Sequence, residues 1–553
     1  MSIKPLRLRK LGLVPYGEAR DLQQALFKSG EDYVLVLEHP TTITLGRRAD
    51  TSHIVTDPSL IGAEVIQTDR GGDVTLHAPG QLVAYAIVSI DDDPHAISGH
   101  VRNLEDAVIA TVEACVDSEL VGGVGRLEGC PGVWVGITTS NPAKIAAVGV
   151  RTEKVDGKRR TLHGIALNVT NDLSLFSAIV PCGITGRGVT SLFELGSSVA
   201  FETVEATLAS RLAQTLFPER DVEEASVRKV NREKPDQRET TSMSTRRLIA
   251  AGIDLDETVS FSTRKPEWLR VKARRDDTFL STNSVVSDLG LVTVCEEAGC
   301  PNIFECWADG TATFMVNGER CTRACSFCLV DTQKPFPLDA SEPERVAEGV
   351  ERMGLAHAVV TCVARDDLAD GGAGAIGETI HAIRRRRPQT SVEVLISDCK
   401  GDTESLAKIF DARPDVLNHN IETVARLQKA VRPSAGYARS LTVLARASSA
   451  GLVTKSGIMV GLGERDDEII TTLQDLASVG VQLVTIGQYL RPTKDHAPVD
   501  RYADPSVFEE LAEAGRRLGL RHVQASPLTR SSYHAREASE QARVPVRLRQ
   551  ETT

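Results

Sequence analysis

The sequence turns on two short runs of cysteine, C-E-E-A-G-C-P-N-I-F-E-C (residues 295–306) and C-T-R-A-C-S-F-C (residues 321–328). Six of the eleven cysteines fall here: Cys295, Cys300 and Cys306 spaced C-x4-C-x5-C, then Cys321, Cys325 and Cys328 spaced C-x3-C-x2-C. Three thiolates per run is the informative count. A structural zinc ion takes four closed ligands, and a cubane iron–sulfur cluster has four corners. A cluster on either run would leave one iron without a cysteine of that run, open to substrate, cofactor or another ligand. Soft thiolates also suit zinc, so a zinc site stays open at this level. Disulfides would need an oxidising compartment. The opening M-S-I-K-P-L-R-L-R-K has basic residues but no apolar core behind them to act as an export signal.

Outward from the cysteines, the C-terminal half alternates regularly. Strands are expected at 312–316, 357–363, 392–397, 416–421, 455–462 and 483–490, with helices at 343–353, 375–387, 404–412, 439–449 and 467–479. The helix at 467–479 carries Ile469, Ile470, Leu473, Leu476 and Ala477 on one face. Six strands with intervening helices predict a parallel sheet curled into a partial (β/α)6 barrel, with chemistry at the C-terminal strand ends. The Cys321 loop follows the first strand directly, so fold and cysteine pattern agree. Asn420, Glu422, Lys455 and Arg491 fall at strand ends too, without an assigned role. Cys362 and Cys399 stand alone and read as buried thiols.

The C-x3-C-x2-C run resembles the cluster loop of radical S-adenosylmethionine enzymes, and the preceding C-x4-C-x5-C resembles the auxiliary-cluster motif of lipoyl synthase. K-P-E-W-L-R (265–270) is similar to that family's N-terminal extension, and R-S-S-Y (530–533) to its C-terminal motif. The resemblance implies two four-iron four-sulfur (4Fe-4S) clusters. One sits on Cys321, Cys325 and Cys328 and binds S-adenosylmethionine through its open iron. The other sits on Cys295, Cys300 and Cys306, with a serine oxygen as fourth ligand, assigned to Ser532 over Ser531. Asp370, Gly371 and Gly372 resemble the glycine-rich segment that contacts the methionyl amino group, although D-G-G alone is an ordinary turn. Ser526 stands where the family usually has glycine. The implied reaction reduces S-adenosylmethionine to a 5′-deoxyadenosyl radical. That radical takes hydrogen from carbons 6 and 8 of a protein-bound octanoyl chain, and the auxiliary cluster donates both sulfurs.

The N-terminal half is a second α/β domain, expected to run over 1–217. It has helices at 17–28 and 107–116 and strands at 33–38, 82–90, 133–138, 144–151 and 161–169. Three patches invite chemistry: R-G-G-D-V-T-L-H-A-P-G-Q (70–81), Lys144 and Cys182. Read singly they are a glycine turn, an edge lysine and a buried thiol. Together with G-V-W-V, K-I-A-A-V-G, L-H-G-I-A-L-N and P-C-G-I they resemble lipoyl(octanoyl) transferase, a family with the biotin/lipoate-protein-ligase-like fold. Ala78 replaces that family's usual glycine. The resemblance implies octanoyl transfer from acyl carrier protein to a lysine of a lipoyl domain, with Cys182 as nucleophile and Lys144 raising its thiolate fraction. Lys144 would also serve as a base. It also implies an acyl pocket walled by Arg70, Gly71, Gly72, Asp73, Val74, Thr75, Leu76, His77, by Ala147, Val148 and Gly149, and by Gly164, Ile165 and Ala166.

Between the halves, residues 218–262 are charged and poor in large apolar groups, and are expected to be a flexible linker ahead of a lipoyl synthase domain over 263–553. The net charge of −11 argues against nucleic acid as a partner, and the arginine run 384–387 reads as a solvated helix end. No apolar run approaches the roughly 18 residues of a membrane span, so no membrane partner and a cytoplasmic location are expected. The implied partners are octanoyl-acyl carrier protein, an electron donor, and lipoyl-domain proteins such as the glycine cleavage H protein and 2-oxoacid dehydrogenase E2 subunits. Two rivals remain: an ATP-using lipoate ligase joined to another radical sulfur inserter, and an inactive docking module on an iron–sulfur scaffold.

Overall fold

The protein is described from a computed structural model covering residues 4–93, 95–119, 121–155, 157–181, 187–227, 243–271, 276–308, 312–532, 535 and 537. It divides into two compact units, Met1–Arg228 and Lys229–Thr553.

The first unit is built on a nine-stranded mixed sheet. Along its path run Val222–Ser226, Leu6–Leu13, Tyr33–Glu38, Gln81–Ile87, Lys158–Asn168, Ala143–Val155, Cys130–Val135 and Val124–Leu127. Alternation puts Val34, Val36, Leu82, Ala84 and Ala86 into one core with Leu104, Val108 and Val112 of helix Ala96–Cys115 and Val204, Leu208 and Leu212 of helix Phe201–Leu216. Tyr33, Leu35 and Leu37 are buried as well, so the sheet is covered on both faces. A smaller sheet, Glu64–Gln67, Thr42–Leu45 and Val74–His77, carries its own core of Ile43, Leu45, Val74 and Leu76 against Phe176 and Ile179. The helix expected over 17–28 is Tyr16–Ser29, ended by Gly30 at φ 78.

The expected linker is corrected at both ends. Val222–Ser226 is an edge strand, parallel to Leu6–Leu13 with Leu6 opposite Val222. Its charges are cross-strand partners: Arg9 pairs with Glu223 at 2.9 Å and Lys10 with Glu224 at 2.7 Å. At the other end, Met243–Ala250 is helical and Val259 bridges Val499, so both belong to the second unit.

The second unit holds a seven-stranded parallel sheet in sequence order: Thr313–Val316, His357–Cys362, Ser391–Leu395, Val416–Asn418, Thr454–Val460, Leu483–Gln488 and His522–Ala525. Helices alternate with strands, and the six expected strands are all present. Among the described residues the first and last strands do not pair, so the barrel is open. Arg385 and Arg386 engage Glu344 and Glu351 at the end of helix Ala373–Arg386, as a solvated helix end should. Among the described residues no helix is long and apolar enough to cross a membrane.

Candidate functional site

One cavity of about 600 Å3 opens among the C-terminal strand ends of the second unit, and all six clustered cysteines line it. Ser531 and Ser532 line it too. Three separate stretches of chain therefore converge, and each is held by identifiable bonds.

The loop with Cys321, Cys325 and Cys328 leaves the first strand at Val316 and is tied down along its length. Cys321 N donates to Asp331 O at 2.8 Å, Thr322 N to Ala364 O at 3.0 Å, and Ser326 N to Val431 O at 2.9 Å. Arg323, buried between the first two cysteines, forks onto Asp366 at 2.7 and 2.8 Å and reaches Asp398 at 2.6 Å. Burial alone would raise the Asp398 carboxyl, but Arg323's hydrogen bond and charge outweigh it and hold it below its ordinary value.

The stretch with Cys295, Cys300 and Cys306 is docked on the first strand by Met315 N to Val292 O at 2.8 Å and by the Thr293–Phe314 bridge. The serine-bearing stretch lies against strand Leu483–Gln488, with Ser526 N donating to Ile486 O at 3.2 Å and Gln488 N to Pro527 O at 3.2 Å. Only glycine fits at 487, since a Cβ there would stand 2.0 Å from Thr529 O. Ser526 is accommodated, its hydroxyl 2.8 Å from Thr529 Oγ1.

Burial pushes the Cys295 and Cys325 thiols to about 11, Cys328 to about 12 and Cys300 upward. As free groups these would stay protonated at neutral pH; positive charge from a metal turns them into ligands. A zinc ion draws its ligands onto one metal, whereas a cubane takes each thiolate on a separate iron. The donor set, three thiols per stretch with hydroxyls alongside, fits iron–sulfur clusters.

Asn420, Glu422 and Arg491 line the cavity as expected of strand-end residues, and burial raises the Glu422 carboxyl. Lys455 does not: it is buried against Glu393, at 2.9 Å. Cys362 lines the cavity, with burial lifting its thiol to about 12, while Cys399 packs under Gly371. Asp370, Gly371 and Gly372 are not part of the lining. Asp370 accepts from Gly372 N and Gly374 N at 3.0 Å, starting helix Ala373–Arg386. Arg323, Arg432, Arg530 and Lys265 all line the cavity, and none of them was assigned a role from sequence. Lys265 and Arg530 fall in the K-P-E-W-L-R and R-S-S-Y motifs, and Arg323 lies between two cysteines.

In the first unit, Cys182 lies outside the described residues. Its flanks are fixed: Val180 N donates to His53 O at 2.7 Å, while Lys144 N donates to Gly188 O and Thr190 N to Lys144 O, each at 3.0 Å. Lys144 is buried, with its ammonium 4.9 Å from the centre of the Trp134 ring, which Arg187 also covers at 5.7 Å. The two backbone stretches expected to wall the pocket are antiparallel neighbours, pairing Ala147 with Ala166, Val148 with Ile165 and Gly149 with Gly164. A Cβ on Gly164 would meet Ala84 O at 2.1 Å, and one on Gly149 would meet Gly71 O at 3.1 Å, so small residues are needed for close approach. Arg70 spends donors on Thr44 and Gly71 rather than facing outward, and Asp73 pairs with His53 at 2.5 Å. Val74 and Leu76 point into the small core, whereas His77 Nδ1 donates to Gln81 Oε1, 2.8 Å away. Ala78 is buried without a left-handed backbone, since Gly80 at φ 88 makes the turn.

Comparison with known proteins gives two family matches: the lipoyl protein ligase A/B catalytic domain over residues 15–213 and the radical SAM superfamily over residues 315–476. The lipoyl synthase of Halalkalibacterium halodurans is 54% identical over 284 residues, covering 51% of this chain and 94% of that protein. The lipoyl synthase of Symbiobacterium thermophilum is also 54% identical, covering 51% of this chain and 88% of its own length. Among solved structures, a bipartite lipoate protein ligase from Thermoplasma acidophilum aligns at 19% identity over 40% of this chain and 88% of that chain, with a TM-score of 0.33. Through its C-terminal half the chain belongs to the lipoyl synthase family, and ahead of that half it carries a lipoyl protein ligase A/B catalytic domain.

Proposed function

We propose that the chain performs both steps of lipoyl-group assembly: octanoyl transfer from acyl carrier protein to a lysine of a lipoyl domain, then insertion of two sulfurs at carbons 6 and 8. The observation that carries this reading is the single cavity shared by both cysteine triads and the two serines. Clusters on Cys321, Cys325 and Cys328 and on Cys295, Cys300, Cys306 and Ser532, with S-adenosylmethionine, would supply radical and sulfur chemistry that side chains cannot.

The chain's own groups do the rest. Arg323 fixes the loop that presents three thiolates, and Arg432 and Arg530 bring positive charge to a lining that must hold thiolates and a cofactor carboxylate. In the first unit, the Cys182 thiolate attacks the acyl thioester carbonyl, the C–S bond to the carrier breaks, and the carrier's thiolate takes a proton from the Lys144 ammonium and departs as thiol, leaving Lys144 neutral. The lysine amine of the lipoyl domain then attacks the Cys182 thioester. The C–N bond forms, Cys182 leaves as thiolate, and Lys144 takes the amine proton. A Lys144 ammonium beside that thiolate would also favour its charged form.

The test is anaerobic reconstitution followed by iron and sulfide analysis and mass spectrometry of a lipoyl domain. Octanoyl-carrier protein, S-adenosylmethionine and a reductant would be supplied. About eight irons per chain and a domain carrying two added sulfurs are expected. Octanoylation without sulfur would leave only the first unit's assignment standing. ATP-dependent attachment of free octanoate, with no use of the carrier, would assign the ligase reaction instead.

A further inference from the structure

Asn302 sits between Cys300 and Cys306 and is almost wholly buried, at 1% exposure. Its backbone carbonyl accepts from Glu305 N at 3.1 Å and Cys306 N at 2.9 Å, which shapes the turn carrying two of the three cysteines. Its side chain turns the other way. Asn302 Nδ2 donates to Leu528 O at 2.8 Å, a bond between residues 226 apart in sequence, and Leu528 lies just ahead of Arg530, Ser531 and Ser532. The carbonyl acceptor fixes the amide orientation, leaving Asn302 Oδ1 buried with no hydrogen-bond partner. The same stretch also lies close to Gly487, where a Cβ would come within 2.0 Å of Thr529 O and 3.2 Å of Arg530 Nη1. The serine stretch is thus held by one side-chain amide and packed against one missing side chain.

We infer that Asn302 is the positioning residue that latches residues 526–532 onto the first cysteine triad, and so sets how firmly that site's fourth corner is held. The inference rests on the proposed reading of that triad as a cluster site completed by serine. An oxygen ligand is a harder, weaker partner for iron than thiolate, so the serine's hold depends on the backbone that presents it. The latch supplies that backbone constraint from within the triad itself. A site that must give up sulfur needs a corner that opens, yet only while the surrounding stretch stays in place.

Asn302→Asp and Asn302→Ala in the full chain test this. The aspartate is nearly isosteric but puts an acceptor against Leu528 O. In metal-free protein, amide exchange at 526–532 and at Gln488 should quicken about tenfold, the loss of one hydrogen bond, with strands 357–362 and 391–395 unchanged. In loaded protein, a chelator should strip about half the iron faster than in the parent, while S-adenosylmethionine cleavage persists and sulfur insertion per cleavage falls. Asn302→Asp alone carries the test if Asn302→Ala does not fold, because it keeps the side chain's volume and removes the donor. Unchanged exchange at 526–532 in the folded variants overturns the latch. Parent protein that loads only about four irons would instead remove the two-cluster reading, and the exchange result on metal-free chains would still decide whether Asn302 holds the stretch.

Discussion

Arg323 Nη2 lies 2.6 Å from Asp398 Oδ1, and Asp398 has no exposed surface at all. The pair joins the second cysteine loop to the end of the third barrel strand, 75 residues away in sequence. An arginine fork serves Asp366 and Asp398 together with a planar, bidentate geometry that a lysine ammonium lacks.

Asp398→Asn leaves Arg323 its Asp366 fork, whereas Arg323→Met strands Asp398 in a dry site. Arg323→Met should cost about 3–5 kcal/mol and release iron bound at Cys321, Cys325 and Cys328, with Asp398→Asn costing less. Urea unfolding and iron content of the loaded variants measure both effects. A variant that unfolds at the parent's midpoint would refute the clamp.

Lys455 and Glu393 form a second enclosed pair, 2.9 Å apart, with Asn418 Nδ2 donating to the same Glu393 oxygen at 3.0 Å. Lys455→Met alone should destabilise the second unit by about 3–5 kcal/mol. Combining it with Glu393→Gln should restore much of the loss, because no unpaired charge is left behind. Simple additivity of the two single effects in urea titrations would contradict this.

Acid should loosen the first unit before it touches substrate chemistry. Burial holds His39 at about 4 and His100 at about 4, against an ordinary value of 6.5. Between those values the unfolded chain binds protons that the folded one refuses, so stability rises with pH there. The contribution is fully present above 6.5 and lost as pH falls toward 4, by about 3 kcal/mol for each histidine. Exchange protection of Tyr33–Glu38 and Gln81–Ile87, followed from pH 7 downward, reads this directly. Protection that stays level through the window would rule it out.

Lys144→Met should lower octanoyl transfer to a lipoyl domain by about 100-fold or more while leaving S-adenosylmethionine cleavage at the parent rate. Mass spectrometry of the acyl-enzyme and of the lipoyl domain separates the two half-reactions. Full transfer by the variant would strip Lys144 of its role.

What the sequence revealed, and what it hid, follows from range. Helix Asp466–Ser478 was expected within a residue at each end because its apolar period is complete within itself. Strand His522–Ala525 escaped notice: four residues with His and Gln among them give no β-branched run. Strand Leu6–Leu13 alternates charge with leucine, and its buried Arg9 makes sense only beside Glu223, 214 residues on. The site divides likewise. Cysteine spacing is local, so both triads were legible. Arg323 and Asn302 find their partners 43 to 226 residues away, and no local pattern shows those partners.

The bond between Asn302 and Leu528 also imposes a timetable. At about 5–20 residues per second, synthesis reaches Leu528 on the order of ten to forty seconds after Asn302. Arg323 waits far less for Asp398, 75 residues later. A growing chain therefore holds a finished second loop while the first cysteine triad still lacks its closing segment. The two halves of the cavity differ in age, and the side that carries the first cysteine triad is the younger.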